Sequence, residues 1–475
     1  MFKLFKLLFW KIKTSIYWSA KWMWYVEKRS FLSPKNSWII LWKHRLSFET
    51  STSNLTVIAP TRQGKSSRIV IQNILWCSGN VVVTDPSGEL FQKTSGHMAK
   101  RGYKIQVYQP ADISNSLSHN PLYGKTTPQE LSKLADSIAQ NNSNTGDDFW
   151  TAWGSEIIFI CMKALVKSGV PGWIHLWNVR HLINLIQQWG DETDSFFEEH
   201  LDDVSYEDYK AFILQDEKIL SWYLSSAKTS LKPWWDPDVV KLTSSNTVDI
   251  QALRSWKTII YVIVPEKDTS YFSFIVNLFY SSCFDYCMDV WDDDVYKKKL
   301  AGEKKKIADV YYLLDEFWNL GNIKNFATNI TTLWKRGCSI SLFLQNLSQL
   351  RKCYGKDDSD SIFSWWTANK LILWWCDLEI CSYLERMLWK KTEQETVIEV
   401  NDKKRTVTVW KPLLSCDQIR MLDRWESVLI SGSKKPVKVM LRSCYEDKNI
   451  KKLIGIKPYT IESDLLKSLV EYVKF

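Results

Sequence analysis

From residue 57 onward, short apolar runs alternate with stretches of helical spacing. One run ends at Val57-Ile58-Ala59, a polar loop follows to Ser66, and 67–75 then repeats apolar residues as a helix does. A second run, Val81-Val82-Val83, ends in Asp85-Pro86 and reads as a buried parallel strand with a polar tip. A helix over 88–101 and a strand over 104–108 complete a β-α-β-α-β order, the mark of a doubly wound α/β sheet. Residues 31–56 read as short strands and turns leading into the first run.

Residues 120–236 break this rhythm. Helical spacing occupies 129–140, 148–168, 178–188, 195–200 and 206–230, with almost no strand-like run, so a helical domain is expected inside the α/β domain. The acidic residues from Asp191 to Asp203 read as a solvated face. The α/β pattern resumes with a strand over 258–265, a long apolar helix over 270–290 and a strand over 307–316. Further strands follow at 339–345 and 370–373. The lysine-rich 297–306 reads as a solvated loop. Short alternating runs at 396–400 and 406–409 precede a terminal helix expected over 465–475. The expected division is a basic segment 1–30, a nucleotide-binding domain built from 31–119 and 237–450, an all-α insertion 120–236 and a helical tail 451–475.

Composition adds little to the fold but bears on partners. The 475 residues are 45% hydrophobic and 24% charged, ordinary for a globular protein, with a net charge of +9. That excess suits a polyanionic partner or an anionic membrane. Lys3, Lys6, Lys11 and Lys13 lie among large apolar residues, as in an interfacial helix; packing on the rest of the protein is the alternative. No run of 18 apolar residues exists, so no transmembrane helix is expected. The ten cysteines lack the pairing of a zinc site and read as reduced thiols. The six histidines show no ligand spacing.

The chemistry concentrates at Ala59-Pro60-Thr61-Arg62-Gln63-Gly64-Lys65-Ser66-Ser67. This is a phosphate-binding loop, G-x-x-x-x-G-K-[ST], with Ala59 at the first glycine. Its backbone N–H groups would point at an anion, reinforced by the helix N-terminus. Lys65 would reach the β- and γ-phosphates of ATP, and Ser66 would ligate Mg²⁺. Tyr311-Tyr312-Leu313-Leu314-Asp315-Glu316 supplies the complementary strand. Asp315 would hold the Mg²⁺ hydration shell, and Glu316 would act as general base on water. Gln345, at the tip of the next strand, suits a contact to the γ-phosphate and that water. Arg336, beside Lys335, is the candidate finger toward a neighbouring subunit. Arg62 is a large side chain in a loop that must close tightly.

Several ordered motifs together resemble the type IV secretion coupling proteins, the TraG/TraD group of conjugation ATPases. They are the 59–66 loop, Val83-Thr84-Asp85-Pro86-Ser87-Gly88-Glu89-Leu90, His119-Asn120-Pro121-Leu122, Leu314-Asp315-Glu316-Phe317-Trp318-Asn319-Leu320-Gly321, Leu344-Gln345-Asn346-Leu347-Ser348-Gln349-Leu350, Tyr354-Gly355-Lys356 and Asp377-Leu378-Glu379. The resemblance spans about 31–445. It implies a RecA-like P-loop NTPase domain with an inserted all-α domain, a homohexamer, and ATP sites between subunits. It also implies partners: single-stranded DNA tracked without sequence reading, a relaxase or effector protein, and the secretion channel. The family's paired N-terminal transmembrane helices are missing, so contact with the cytoplasmic face of the membrane would be peripheral or through a partner. Rival readings are an FtsK/HerA-like DNA translocase and a substrate-docking receptor with weak ATP turnover.

Set against that family, the tryptophans are anomalous. The chain has 26 Trp and 17 Gly, where about 7% glycine usage would give roughly 33. Trp318, Trp334, Trp374, Trp375 and Trp389 fall where small residues are expected, and Trp38 and Trp42 fall in a tight turn. The expectation is a gene that uses UGA for glycine. Replacing every Trp would overshoot ordinary glycine usage, so some, Trp150 among them, are genuine.

Overall fold

The computed structural model describes residues 19–33, 39–60, 62–140, 148–188, 190–255, 257–290, 307–374, 376–398 and 404–474. Thr61, the lysines of the first 18 residues, the 297–306 run, Trp38 and Trp375 lie outside them. In chain order the strands are β1 (Ile40–Leu41), β2 (His44–Arg45), β3 (Leu55–Ile58), β4 (Asn80–Asp85), β5 (Lys104–Tyr108), β6 (Thr258–Ile263) and β7 (Val310–Leu314). Then come β8 (Cys338–Leu344), β9 (Asn369–Leu373), β10 (Lys390–Ile398), β11 (Lys404–Pro412), β12 (Glu426–Ser431) and β13 (Val437–Met440). The chain forms two compact units.

The first unit takes Met1–Ser78, Leu313–Trp318 and Ser339–Leu453. Its sheet runs β13-β12-β9-β3-β8. β3 lies between β8 and β9 and is parallel to both, with Ile58 opposite Leu344 on one side and Ile372 on the other. All four residues of β3 and all seven of β8 are buried, as expected of parallel strands covered on both faces. The 55–59 and 339–345 runs therefore end level, and the residues after them leave the sheet at one edge. Buried Asn54 fixes the register: its Oδ1 accepts the Ile340 amide at 3.0 Å and its Nδ2 donates to Trp366 O at 3.1 Å. The alternating runs near 400 belong to one long hairpin, β10–β11, in which Thr396 faces Thr406.

The second unit takes Gly79–Tyr312, Asn319–Cys338 and Ile454–Phe475. Here β6 lies between β4 and β5, parallel to each. Between β5 and β6 the chain forms helices Pro128–Gln140, Asp148–Lys167, Leu176–Gln188, Asp191–His200, Asp203–Ile213, Glu217–Ser230 and Pro237–Ser244. The first starts on a local signal, Thr127-Pro128-Gln129-Glu130. The Glu130 carboxylate accepts the Thr127 amide at 3.0 Å, and Thr127 Oγ1 accepts the Glu130 amide at 3.3 Å. This is a capping box with proline at the first helical position. Its Leu131, Leu134, Ala135 and Ile138 are buried at helical spacing. The helices between β5 and β6 fall in one compact unit with the strands β4–β6.

Two helix expectations need correction. The 206–230 stretch is two helices, because Asp216 caps a new one by accepting the Lys218 amide at 3.0 Å. The tail is not a terminal helix: a short helix, Lys448–Ile454, precedes extended chain with one 3₁₀ turn, Leu465–Lys467. Its backbone groups bond to side chains instead. Asn178 Oδ1 accepts the Val473 amide at 3.3 Å, Asn178 Nδ2 donates to Glu471 O at 3.2 Å, and His175 Nε2 lies 3.0 Å from the same carbonyl. Those bonds replace the internal ladder a helix would need.

Candidate nucleotide-binding site

The loop after β3 has the shape of an anion cradle. Arg62 and Gly64 both hold left-handed backbone, at φ 64° and 73°. The Arg62 side chain is exposed and does not crowd the loop. Gly64 cannot carry a side chain, since a Cβ there would lie 2.8 Å from Ser67 Oγ and 3.2 Å from Arg68 Nε. Gly64 O accepts the Arg68 amide at 2.9 Å and Ser67 Oγ at 3.2 Å, which folds the loop onto the helix that follows. That helix begins with a π turn, Ser66–Val70, before continuing as an α-helix, Ile71–Trp76. Such widened turns recur at functional sites.

Lys65 is 8% exposed, and its Nζ has no hydrogen-bond partner. A buried ammonium costs several kcal/mol unless it is paired. Burial pushes its pKa down, while Asp315 and Glu316 oppose the shift. Gln63 Oε1 is likewise buried and unpartnered. The orphaned Lys65 ammonium fits an anion supplied from outside the chain.

Asp315 follows the buried strand β7 and is 4% exposed. Its Oδ2 accepts Ser66 Oγ at 2.7 Å, and its Oδ1 accepts the Glu316 amide at 3.1 Å. The Ser66 hydroxyl and the Asp315 carboxylate meet as two oxygen donors of the kind a hard divalent cation takes. Glu316 is half-buried and holds φ 50°, a left-handed conformation costly for a residue with a side chain. Strain of this kind collects at functional positions. Gln345 leaves the sheet beside the loop, where Leu344 O accepts the Ala59 amide at 3.1 Å. Gln345 is half-buried, and its Oε1 accepts Gln349 Nε2 at 3.3 Å. Asn346 caps the next helix by accepting the Gln349 amide at 3.0 Å, which fixes the turn that carries Gln345.

The first unit thus gathers Ala59, Pro60, Arg62–Ser67, Asp315, Glu316 and Gln345. Arg336 belongs to the second unit. Its Nε donates to Met288 O at 3.0 Å and its Nη1 to Thr332 O at 3.3 Å, so its guanidinium is held on nearby main chain. Asp85, also in the second unit, accepts the Phe91 amide at 2.8 Å and secures the start of helix Glu89–Lys100. Sequence reasoning passed over Arg68 and Gln72, on the first turns of the loop helix. Arg68 Nε donates to Gln63 O at 3.1 Å and its Nη1 to Leu441 O at 2.6 Å; Gln72 Nε2 donates to Arg442 O at 2.9 Å. Their acceptors are backbone carbonyls, which leave no mark in a sequence.

The sequence pattern of the family described as "Type IV secretory system Conjugative DNA transfer" matches residues 24–463. The chain belongs to that family. Among its relatives is protein VirD4 of Rhizobium radiobacter, 25% identical over 421 residues, covering 84% of this chain and 58% of the relative. Conjugal transfer protein TraG of Escherichia coli is 23% identical over 326 residues, 63% of this chain and 50% of the relative. The chain therefore spans a little over half the length of the curated relatives it matches. Among solved structures, the plasmid coupling protein TrwB in complex with a non-hydrolysable ATP analogue superposes with a TM-score of 0.69 at 14% identity. That match covers 90% of this chain and 94% of the other. The TrwBdeltaN70 form with sulphate gives 0.70 at 15% identity, covering 94% and 96%. At such identity the likeness is one of fold: the chain has a RecA-like P-loop fold with an all-α insertion.

Proposed function

We propose that this chain is an ATP-driven coupling protein, which recruits DNA with its bound protein, or protein substrates, to a type IV secretion channel and powers their transfer. The carrying observation is the 2.7 Å contact of Ser66 Oγ with Asp315 beside the unpartnered Lys65 Nζ. The TrwB structures with ADPNP, and with ADP and Mg²⁺, support the same ligands here. Mg-ATP, when bound, supplies the phosphoryl group whose loss is the energy-yielding step.

The chain's own groups have distinct tasks. Backbone N–H groups of 61–66 would bind the phosphates, with Lys65 neutralising them. Ser66 and Asp315 hold the cation. Glu316 orients water and takes its proton, and Gln345 contacts both water and terminal phosphate. Arg336 acts across a subunit boundary of a homohexamer, which requires it to leave Met288 and Thr332. DNA is tracked by contacts to its phosphates rather than by reading bases. No helix among the described residues is long and apolar enough to cross a membrane. The cytoplasmic face of the membrane is the proposed site of action, reached through the basic segment 1–30 or a partner.

The test is ATP hydrolysis by the full chain with and without single-stranded DNA, with the assembly mass measured alongside. Stimulation by DNA, together with a six-chain mass, is expected. Partner-protein binding with no turnover would replace the motor with a docking receptor.

A further inference from the structure

We propose that Arg68 is a positioning residue for nucleotide binding, one that sets the direction in which the phosphate loop presents its amides. This rests on the nucleotide reading above. The Gln63–Gly64 peptide, like every peptide among the described residues, is trans, so the Gln63 carbonyl and the Gly64 N–H point opposite ways across a planar bond. Arg68 Nε holds that carbonyl at 3.1 Å from the helix side. The Gly64 N–H is thereby turned away from the helix and into the cradle. Gly64, in left-handed backbone and without a Cβ, has little intrinsic preference for one peptide orientation, so an external grip has a task to perform.

The grip is itself anchored. Arg68 is 7% exposed, and its Nη1 donates to Leu441 O at 2.6 Å, just past β13. Leu441 is fixed in turn by its amide, which donates to Trp425 O at 2.8 Å. Gln72, one turn along the helix, bonds the next carbonyl, Arg442 O, at 2.9 Å. The fork geometry of a guanidinium spans the loop and the β13 end at once, which an ammonium cannot do.

The test compares wild type, Arg68→Ala, Arg68→Lys and Lys65→Ala as full chains, by binding of a fluorescent ATP analogue and by thermal unfolding. Arg68→Ala is expected to weaken binding about 10- to 100-fold, the range for a lost charge-assisted hydrogen bond. Millimolar guanidinium should restore part of that loss, while sodium at equal ionic strength should not. Arg68→Lys, which keeps the charge and at most one bond, should fall between and covers the case in which the alanine variant does not fold. Wild-type affinity in a folded Arg68→Ala or in Arg68→Lys overturns the proposal. So does a loss that tracks the unfolding midpoint and ignores guanidinium. Retention of binding by Lys65→Ala would instead overturn the nucleotide reading itself.

A separate observation carries a second inference: we infer that the native chain has glycine at positions 42 and 389. Trp42 holds φ 61° and Trp389 φ 62°. Trp42 is the first residue of the two-residue loop of β1–β2, in which Leu41 pairs with His44. A positive φ at that position belongs to a type II′ turn, where glycine is preferred. Trp389 stands just past the cap of helix Leu378–Met387, the position where helices end in left-handed glycine. For an indole-bearing residue each conformation costs about 1–2 kcal/mol. Trp389 is also 74% exposed. Trp234, by contrast, is fully buried, with Nε1 donating to Thr243 Oγ1 at 2.9 Å, and is a genuine tryptophan. Peptide mass spectrometry of the protein isolated from its source is expected to read glycine at 42 and 389 and tryptophan at 234. Tryptophan at 42 or 389 overturns the inference.

Discussion

Lys65→Ala is expected to lower ATP turnover sharply and to lose most of the stabilisation that ATP confers. In the folded chain the Lys65 ammonium is buried with no hydrogen-bond partner, and only the nearby carboxylates of Asp315 and Glu316 favour its charge against burial. Such a group is held ready for an anion, and its interaction with phosphate oxygens in a water-poor loop is charge-assisted. Losing it should weaken ATP binding about 10- to 100-fold. Turnover should fall by about a further 10²-fold, because charge on the phosphates is redistributed most in the transition state. Binding can be read without turnover. A ligand at 100 times its Kd adds about 2.7 kcal/mol to stability, so ATP should raise the wild-type unfolding midpoint clearly and that of Lys65→Ala by half as much or less. The nucleotide-free variant should unfold no earlier than wild type, since it no longer buries an unpaired cation. An undiminished ATP-induced shift in Lys65→Ala would refute the assignment of this loop.

The parts of the site that were legible in the sequence are those whose chemistry demands a residue type at a fixed spacing. Gly64-Lys65-Ser66 after a strand and Asp315-Glu316 after another are separated by 249 positions at their point of contact, yet each pattern is readable alone. The parallel strands were legible as unbroken apolar runs. What escaped depends on partners the sequence does not display. Arg68 reaches a carbonyl 373 residues away, and any residue could have supplied it. The break at Asp216 interrupts a helical spacing that continues through it, and only the cap marks it. The tail carries apolar residues at nearly helical intervals, but Leu465 and Val473 are buried while Leu469 is 95% exposed. Asn178 and His175, far back in the chain, claim its backbone. Trp42 and Trp389 were singled out by comparison with the family, and of the tryptophans named there these two hold left-handed backbone.

Glu316→Gln should separate binding from hydrolysis. The side chains match in size and both accept hydrogen bonds, so the left-handed turn at φ 50° and the Asp315–Ser66 contact should persist. A neutral amide cannot take a proton from water. General-base assistance contributes about 10²–10⁴-fold, and the rate constant for ATP cleavage should fall by that factor. The ATP-induced rise in unfolding midpoint should remain in full, in contrast to Lys65→Ala. If the motor proposal holds, this variant stays in its ATP-bound state and retains DNA binding without DNA-stimulated turnover. Glu316→Ala should lose a comparable factor in rate, since the base is absent in both. Its backbone strain should be no smaller, because alanine also has a Cβ in left-handed conformation. Single-turnover cleavage of ATP by the two variants decides the matter. A rate within a few-fold of wild type in Glu316→Gln would move the proton-accepting role to another group, with Asp315 then the nearest carboxylate, hydrogen-bonded to the Glu316 amide at 3.1 Å.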